Sequence, residues 1–149
     1  MNAVHVTSVS HALAADLGAT LSQRLQALAD LDRARDPRLP GILHYIDAHL
    51  GEGELDERMI RAAFGYSRPT LYRLFQALGG VARHIRERRL WLAYRHLQRH
   101  PGCSLTWLLY EVGFTSERQF QRAFQARFGM SPAGWRQACR QRHASGPQC

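Results

Sequence analysis

QFQRAFQARFG, residues 119–129, rewrites a stretch used earlier in the chain as TLYRLFQALGG, residues 70–80. Under a shift of 49 positions, Leu71 falls on Phe120, Arg73 on Arg122, Phe75 on Phe124, Gln76 on Gln125, Ala77 on Ala126 and Gly80 on Gly129. Just upstream, GYS at 65–67 matches GFT at 113–115 under a shift of 48, so one residue has been gained between Gly113 and Phe120. An internal repeat governs the fold more strongly than any local propensity. Two copies make a tandem pair, not a solenoid.

Each copy is a short helix, a glycine turn and a capped second helix. Ile42, Ile46 and Leu50 mark a helix ending near Gly51, after the proline-bearing linker RDPRLPG at 35–41. A second helix spans about Asp56 to Phe64, with Met59, Ile60 and Ala63 inward, and Gly65 ends it. Ser67 caps the next, with Pro69 in its first turn and Leu71, Phe75 and Leu78 inward. After Gly79–Gly80 a long helix runs from Val81 to about Arg99, with Val81, Ile85, Leu90, Ala93 and Leu97 on one side. Ser104 opens the second copy, with Leu105, Leu108, Leu109 and Val112. Gly113 turns the chain, Thr115 or Ser116 caps the following helix, and Phe120, Phe124 and Phe128 face inward. Ser131–Pro132 starts a last helix to about Arg142, followed by a frayed tail. The reading is all-α: two helix-turn-helix units on a long central helix within residues 39–142, a seven-helix domain, with a tail at 143–149.

Ahead of it, Leu13, Leu17, Leu21, Leu25 and Leu28 form a helical stripe over roughly Ser10–Ala34. The stripe suits a helix packed on its own domain, a homodimer seam, or a face belonging to a neighbouring domain. Residues 1–38 are assigned to this amphipathic helix and its linker.

All 20 basic residues are arginine, since the chain has no lysine. Residues 1–40 hold four Arg and four Asp, whereas residues 67–142 hold fourteen Arg against three Glu. A neutral head on a basic body calls for a polyanionic partner, most simply nucleic acid. No apolar run is long enough to span a bilayer, and the N-terminus lacks a basic signal-peptide start. No membrane partner and a cytoplasmic location are therefore expected. Cys103, Cys139 and Cys149 are odd in number and widely spaced, which suits free thiols. No cofactor is expected.

A helix-turn-helix places its second helix in the major groove of DNA. The face opposite the apolar positions must then carry the reading groups: Arg68, Pro69, Tyr72, Arg73 and Gln76 in the first copy, and Glu117, Arg118, Gln119, Gln121, Arg122 and Gln125 in the second. Arg pairs bidentately with guanine and Gln with adenine. The central helix, roughly 28 Å long at 1.5 Å per residue, can seat two such helices in grooves about 34 Å apart. Tandem copies imply an asymmetric site on double-stranded DNA. Arg83, Arg86, Arg88, Arg89, Arg95 and Arg99 on the rod, and Arg136, Arg140 and Arg142 at the end, are candidates for phosphate. Helix N-termini at Ser67, Ser104, Thr115, Ser116 and Ser131 could donate N–H groups to it.

GYSRPTLYRLFQALGG (65–80), HIRERRLWLAYRHL (84–97) and EVGFTSERQFQRAFQARFGMSPAGWR (111–136) closely resemble the AraC/XylS family of bacterial transcription regulators. The series G-F, F-x-R-x-F, F-G-x-S-P and aromatic-Arg is specific, and the resemblance covers about residues 40–140. It implies promoter binding, with base-reading positions at Pro69, Tyr72 and Arg73 and at Arg118, Gln119, Gln121 and Arg122. It implies RNA polymerase as a further partner. The chain departs from the family at Arg61 and Leu109, where a small residue is usual. Arg61 is expected to reach outward, with Ala62 or Ala63 filling the space, and Leu109 to require repacking. Pro69 offers no hydrogen bond to a base, so the first unit should discriminate less. Many relatives carry a sensor or dimerisation domain in front, for which residues 1–40 are too short. The chain is thus a piece of a longer regulator or a short one without its own sensor.

The competing readings are a non-specific nucleic-acid binder and a protein-interaction module that kept the fold. An enzyme is disfavoured: His96 and His100 stand at metal-ligand spacing, but Leu97, Gln98 and Arg99 between them supply no general base. No phosphate loop or nucleophile elbow is present, so neither catalytic nor metal residues are assigned.

Overall fold

The computed structural model of the protein describes residues 36–145. The expected Leu-stripe helix and the last residues of the tail lie outside these. Seven helices occur among the described residues: α1 Leu39–Ala48, α2 Glu57–Phe64, α3 Arg68–Phe75, α4 Val81–Arg99, α5 Leu105–Glu111, α6 Glu117–Phe128 and α7 Pro132–Ala144. A 3-10 turn, Gln76–Leu78, continues α3. The fold is all-α, with α2–α3 and α5–α6 as the two helix-turn-helix pairs.

Side-chain caps fix the helix starts. Asp56 accepts from the Met59 N–H at 2.8 Å, Ser67 from Thr70 at 3.3 Å, Ser104 from Trp107 at 3.3 Å, Ser116 from Gln119 at 3.4 Å and Ser131 from Gly134 at 3.1 Å. Each cap contributes about 1 kcal/mol by satisfying a donor that the helix cannot. Ser116, not Thr115, caps α6. The residue gained in the second copy therefore sits inside its turn, between Gly113 and Ser116. Pro40 belongs to the first turn of α1 instead of a linker, because its missing N–H costs nothing there.

The expected stripe of α4 is buried in full: Val81, Ile85, Leu90, Ala93 and Leu97. Its first end packs on α3, where Ile60, Leu71, Leu74 and Phe75 are buried. Its second end enters a core with Leu108, Leu109, Val112, Phe120, Phe124 and Trp135. One rod thus supplies apolar surface to both units.

Three expectations on inward residues need correction. Leu78 is exposed and Leu74 is buried in its stead, because the 3-10 turn advances about 120° per residue and carries Leu78 off the α3 face. Ala62 and Ala63 are exposed and fill nothing. Arg61 is half-buried, with Nε donating to the Tyr66 carbonyl at 3.4 Å. Leu109 is accommodated in the second core at 1% exposure. Phe128 is half-buried, with its ring 4.6 Å from that of Tyr94.

Candidate nucleic-acid interface

Burial of the apolar stripes of α3 and α6 leaves their opposite faces in solvent, where Arg68, Pro69, Tyr72, Arg73, Arg118, Gln119, Gln121 and Arg122 are all exposed. Pro69 at the start of α3 presents a ring and no donor. Tyr72 is 66% exposed, so its ring is free to meet a ligand surface.

The two helices and the first half of α4 border one continuous concave surface. A cleft of about 660 Å³ is lined by Arg68 and Tyr72 of α3, Arg83 and Arg86 of α4, and Thr115 and Gln119 of the second unit. A second, of about 730 Å³, is lined by Arg83, Arg86, Gln119, Arg122 and Arg127. Arg83, Arg86, Phe114 and Gln119 line both. Residues from three helices, more than fifty positions apart in sequence, meet here. Arg73 and Arg118 lie outside the lining of the clefts.

The arginines fall into two groups. Arg73, Arg83, Arg86, Arg118 and Arg122 are exposed and have no hydrogen-bond or ion-pair partner among the described residues. Such cations carry no internal counter-charge and leave a positive potential over the concave face. Arg95 and Arg99, on the far half of α4, are likewise exposed and without such a partner, whereas several others hold the fold. Arg88 grips Asp47 with two bonds, at 2.8 and 2.9 Å. Arg127 pairs with Glu87 at 2.7 Å and lies 5.2 Å from the Trp91 ring centroid, which ties α6 to α4. Arg140 donates to the Pro101 carbonyl at 2.8 Å.

Four expected phosphate contacts, Arg89, Arg136, Arg140 and Arg142, are bonded to backbone carbonyls. Arg89 donates to Leu50 at 3.0 Å and to Glu52 at 2.6 Å, and burial pushes its guanidinium below the usual arginine value. Arg136 donates to Cys103 at 3.1 Å. Ser67 and Ser116 use their hydroxyls as caps, while Thr115 is exposed on the cleft wall.

Two of the side chains expected to read bases have glutamate partners that the repeat did not signal. Arg68 Nε donates to Glu57 at 3.2 Å, and the Gln121 amide donates to Glu117 at 2.9 Å. Glu57 and Arg68 are eleven positions apart and meet only because α2 and α3 cross. Among the described residues no group of three His, Cys, Asp or Glu is placed to hold a metal, and no helix is long and apolar enough to cross a membrane.

The class this geometry defines is a tandem helix-turn-helix domain with an arginine-lined face. A family model described as "Helix-turn-helix domain" matches residues 60–138. The transcriptional activator RhaS of Escherichia fergusonii is 31% identical over 116 residues, covering 76% of this chain and 41% of the relative. RhaS of Citrobacter koseri is 34% identical over 104 residues, covering 68% of this chain and 37% of the relative. The chain therefore spans about two fifths of the length of these relatives. The C-terminal domain of AraT, a response regulator from Geobacillus stearothermophilus, superposes with a TM-score of 0.63 at 20% identity, over 69% of this chain and 86% of that one. That likeness shows the fold. The chain belongs to the AraC/XylS family of helix-turn-helix transcription regulators, a family of DNA-binding proteins and not of enzymes.

Proposed function

We propose that the protein is a sequence-specific regulator that seats α3 and α6 in successive major grooves on one face of an asymmetric promoter site. The observation that carries this is the matched pair Arg73 and Arg122. They occupy the same register of two capped helices, both exposed and both without an ion-pair partner among the described residues. Arg122, with Arg118 and Gln119, reads the second box. Arg73, with Arg68 and Tyr72, reads the first, which Pro69 leaves less selective. Gln121 contributes once DNA draws it from Glu117. Arg83 and Arg86 lie between the two helices on the concave wall and take the intervening phosphates. Ser67, Thr115 and Ser116 bring helix N-termini to the backbone.

RhaS is named an activator, which favours activation as the outcome and RNA polymerase as the partner at the promoter. The Leu stripe at residues 13–28 offers a homodimer seam as one of its three readings.

Selection from randomised duplex DNA near physiological salt tests the reading. Two dissimilar boxes about one helical turn apart are expected. Weak uniform binding that collapses with salt would instead mark a non-specific binder, and no binding would leave a protein-interaction module.

A further inference from the structure

The glycines of the domain divide by the reason for their presence. Gly65, Gly80 and Gly129 have positive φ, and an added Cβ would meet nothing within 4 Å, so they serve the turns alone. Gly51 and Gly53, in the loop between α1 and α2, have no positive φ, so no backbone demand puts glycine there. Space does. A Cβ on Gly51 would stand 3.0 Å from the Glu111 carbonyl oxygen, and one on Gly53 would stand 2.8 Å from Thr115 Cγ2. Both neighbours belong to the second unit. From the other side, a Cβ on Gly113 would overlap the Leu50 carbonyl oxygen and stand 2.7 Å from Arg89 Nε. All three close approaches lie at one junction, where the loop of the first unit meets the turn of the second.

Arg89 binds this junction from the middle of the 19-residue rod. Its two donors hold the carbonyls of Leu50 and Glu52, one on each side of Gly51. A single joining helix resists stretching but leaves the units at its ends free to tilt and twist as it bends. Backbone seated on backbone beside the rod, with a guanidinium bonded to the first unit's loop and packed beside Gly113, removes that freedom.

We propose that Gly51, Gly53, Gly113 and Arg89 form a lock that fixes the offset between the two recognition helices, so that the protein selects DNA by the spacing of its two boxes as well as by their bases. The inference rests on the tandem DNA reading above. One added base pair moves the second box by about 3.4 Å and turns it by about 34°. A locked pair cannot follow that change, whereas a loosely linked pair keeps most of its avidity.

The test is a titration of duplexes carrying the two selected boxes, with the spacer lengthened or shortened by one and two base pairs. The full chain is compared with Gly51→Val and Arg89→Met, each checked for folding by its circular-dichroism melt. Gly51→Val wedges the junction without touching an arginine, so it separates the lock from any phosphate role of Arg89. A one-base-pair change should cost the parent roughly tenfold or more in affinity and each folded variant about threefold or less. A parent indifferent to spacing overturns the lock. So do variants that lose affinity equally at every spacing, and a shallower salt slope for Arg89→Met would then make it a phosphate contact. If selection yields no paired boxes, the tandem reading falls, and the lock with it. Paired boxes with unchanged spacing preference remove the lock alone.

Discussion

In the first unit α3 has eight residues and tightens into a 3-10 turn, whereas in the second unit its counterpart, α6, runs twelve and stops at Gly129. The cores behind them differ in kind. Behind α3 the filling is mainly aliphatic, from Ile42, Ile46, Ile60 and Leu71, with Phe75 as the fully buried ring. Behind α6 the rings of Phe120, Phe124, Phe128, Tyr94 and Trp135 lie against one another, with centroids 4.2 to 6.4 Å apart. Ring-ring contacts add about 0.5–1.5 kcal/mol each beyond area burial. The second helix is thus longer and more firmly backed, and it carries the richer set of hydrogen-bonding groups. The larger set of exposed hydrogen-bonding groups and the firmer backing coincide in the second unit.

Truncating one ring in each core probes that asymmetry most strongly. Phe124→Ala should cost about 3–5 kcal/mol, at the upper end of that range, in thermal or denaturant unfolding. Phe75→Ala should fall at the lower end, since among the described residues its one ring neighbour is His84 at 5.7 Å. Equal costs would mean that the aromatic layer adds nothing specific.

The turns come next. Gly65 and Gly113 both have positive φ, at 71° and 90°. Gly65→Ala should cost roughly 1–3 kcal/mol from the backbone angle alone. Gly113→Ala should cost clearly more, because its methyl would also overlap the Leu50 carbonyl. Identical melts for the two variants would contradict the crowded junction.

The reading faces are compared by Arg122→Ala and Arg73→Ala, each expected to cost about 1–3 kcal/mol of DNA binding and to relax one base position. The loss of discrimination should be larger for Arg122. Selected sites unchanged by Arg122→Ala would remove it from base reading.

Glu57→Gln should act more weakly. It releases Arg68, so DNA affinity should rise and the salt slope steepen by up to about one unit. Fold stability should change by less than about 1 kcal/mol, since the pair is exposed. A fall in affinity would show instead that Glu57 presents Arg68 correctly.

The smallest effect concerns pH. Burial first, and Arg88 second, hold His84 below its ordinary value, with Asp47 opposing them. The unfolded chain therefore takes up the proton first. The stability tied to neutral His84 is complete above about pH 6.5 and declines as pH falls below it. His84→Gln should flatten the dependence of the melting temperature between about pH 7 and 5. An unaltered slope would assign it elsewhere.

Most of the architecture was legible in the residue order. Serine caps, positive-φ glycines and helical periodicity are local signals, so they placed α4 at Val81–Arg99 and started α3 and α6 correctly. The exposed polar faces of α3 and α6 followed because a helix with one buried stripe has only one other side. Leu78 was misplaced for a local reason as well: nothing in QAL announces that the helix tightens to 3-10 geometry there.

By itself, then, the sequence determined the all-α class, the two copies of the motif, the family and the arginine excess. Each depends on residues near one another in the chain or on composition. Tertiary structure alone decided which arginines are free. Arg86 and Arg89 look alike in RERR and both line the cleft, yet one has no partner among the described residues and the other is tied to carbonyls 39 and 37 positions away. It also decided that Gly51 and Gly53 are crowded by the second unit, and that Glu57 meets Arg68. Such pairings depend on how helices cross, and no periodicity within a single helix encodes a neighbour that folding brings in from elsewhere.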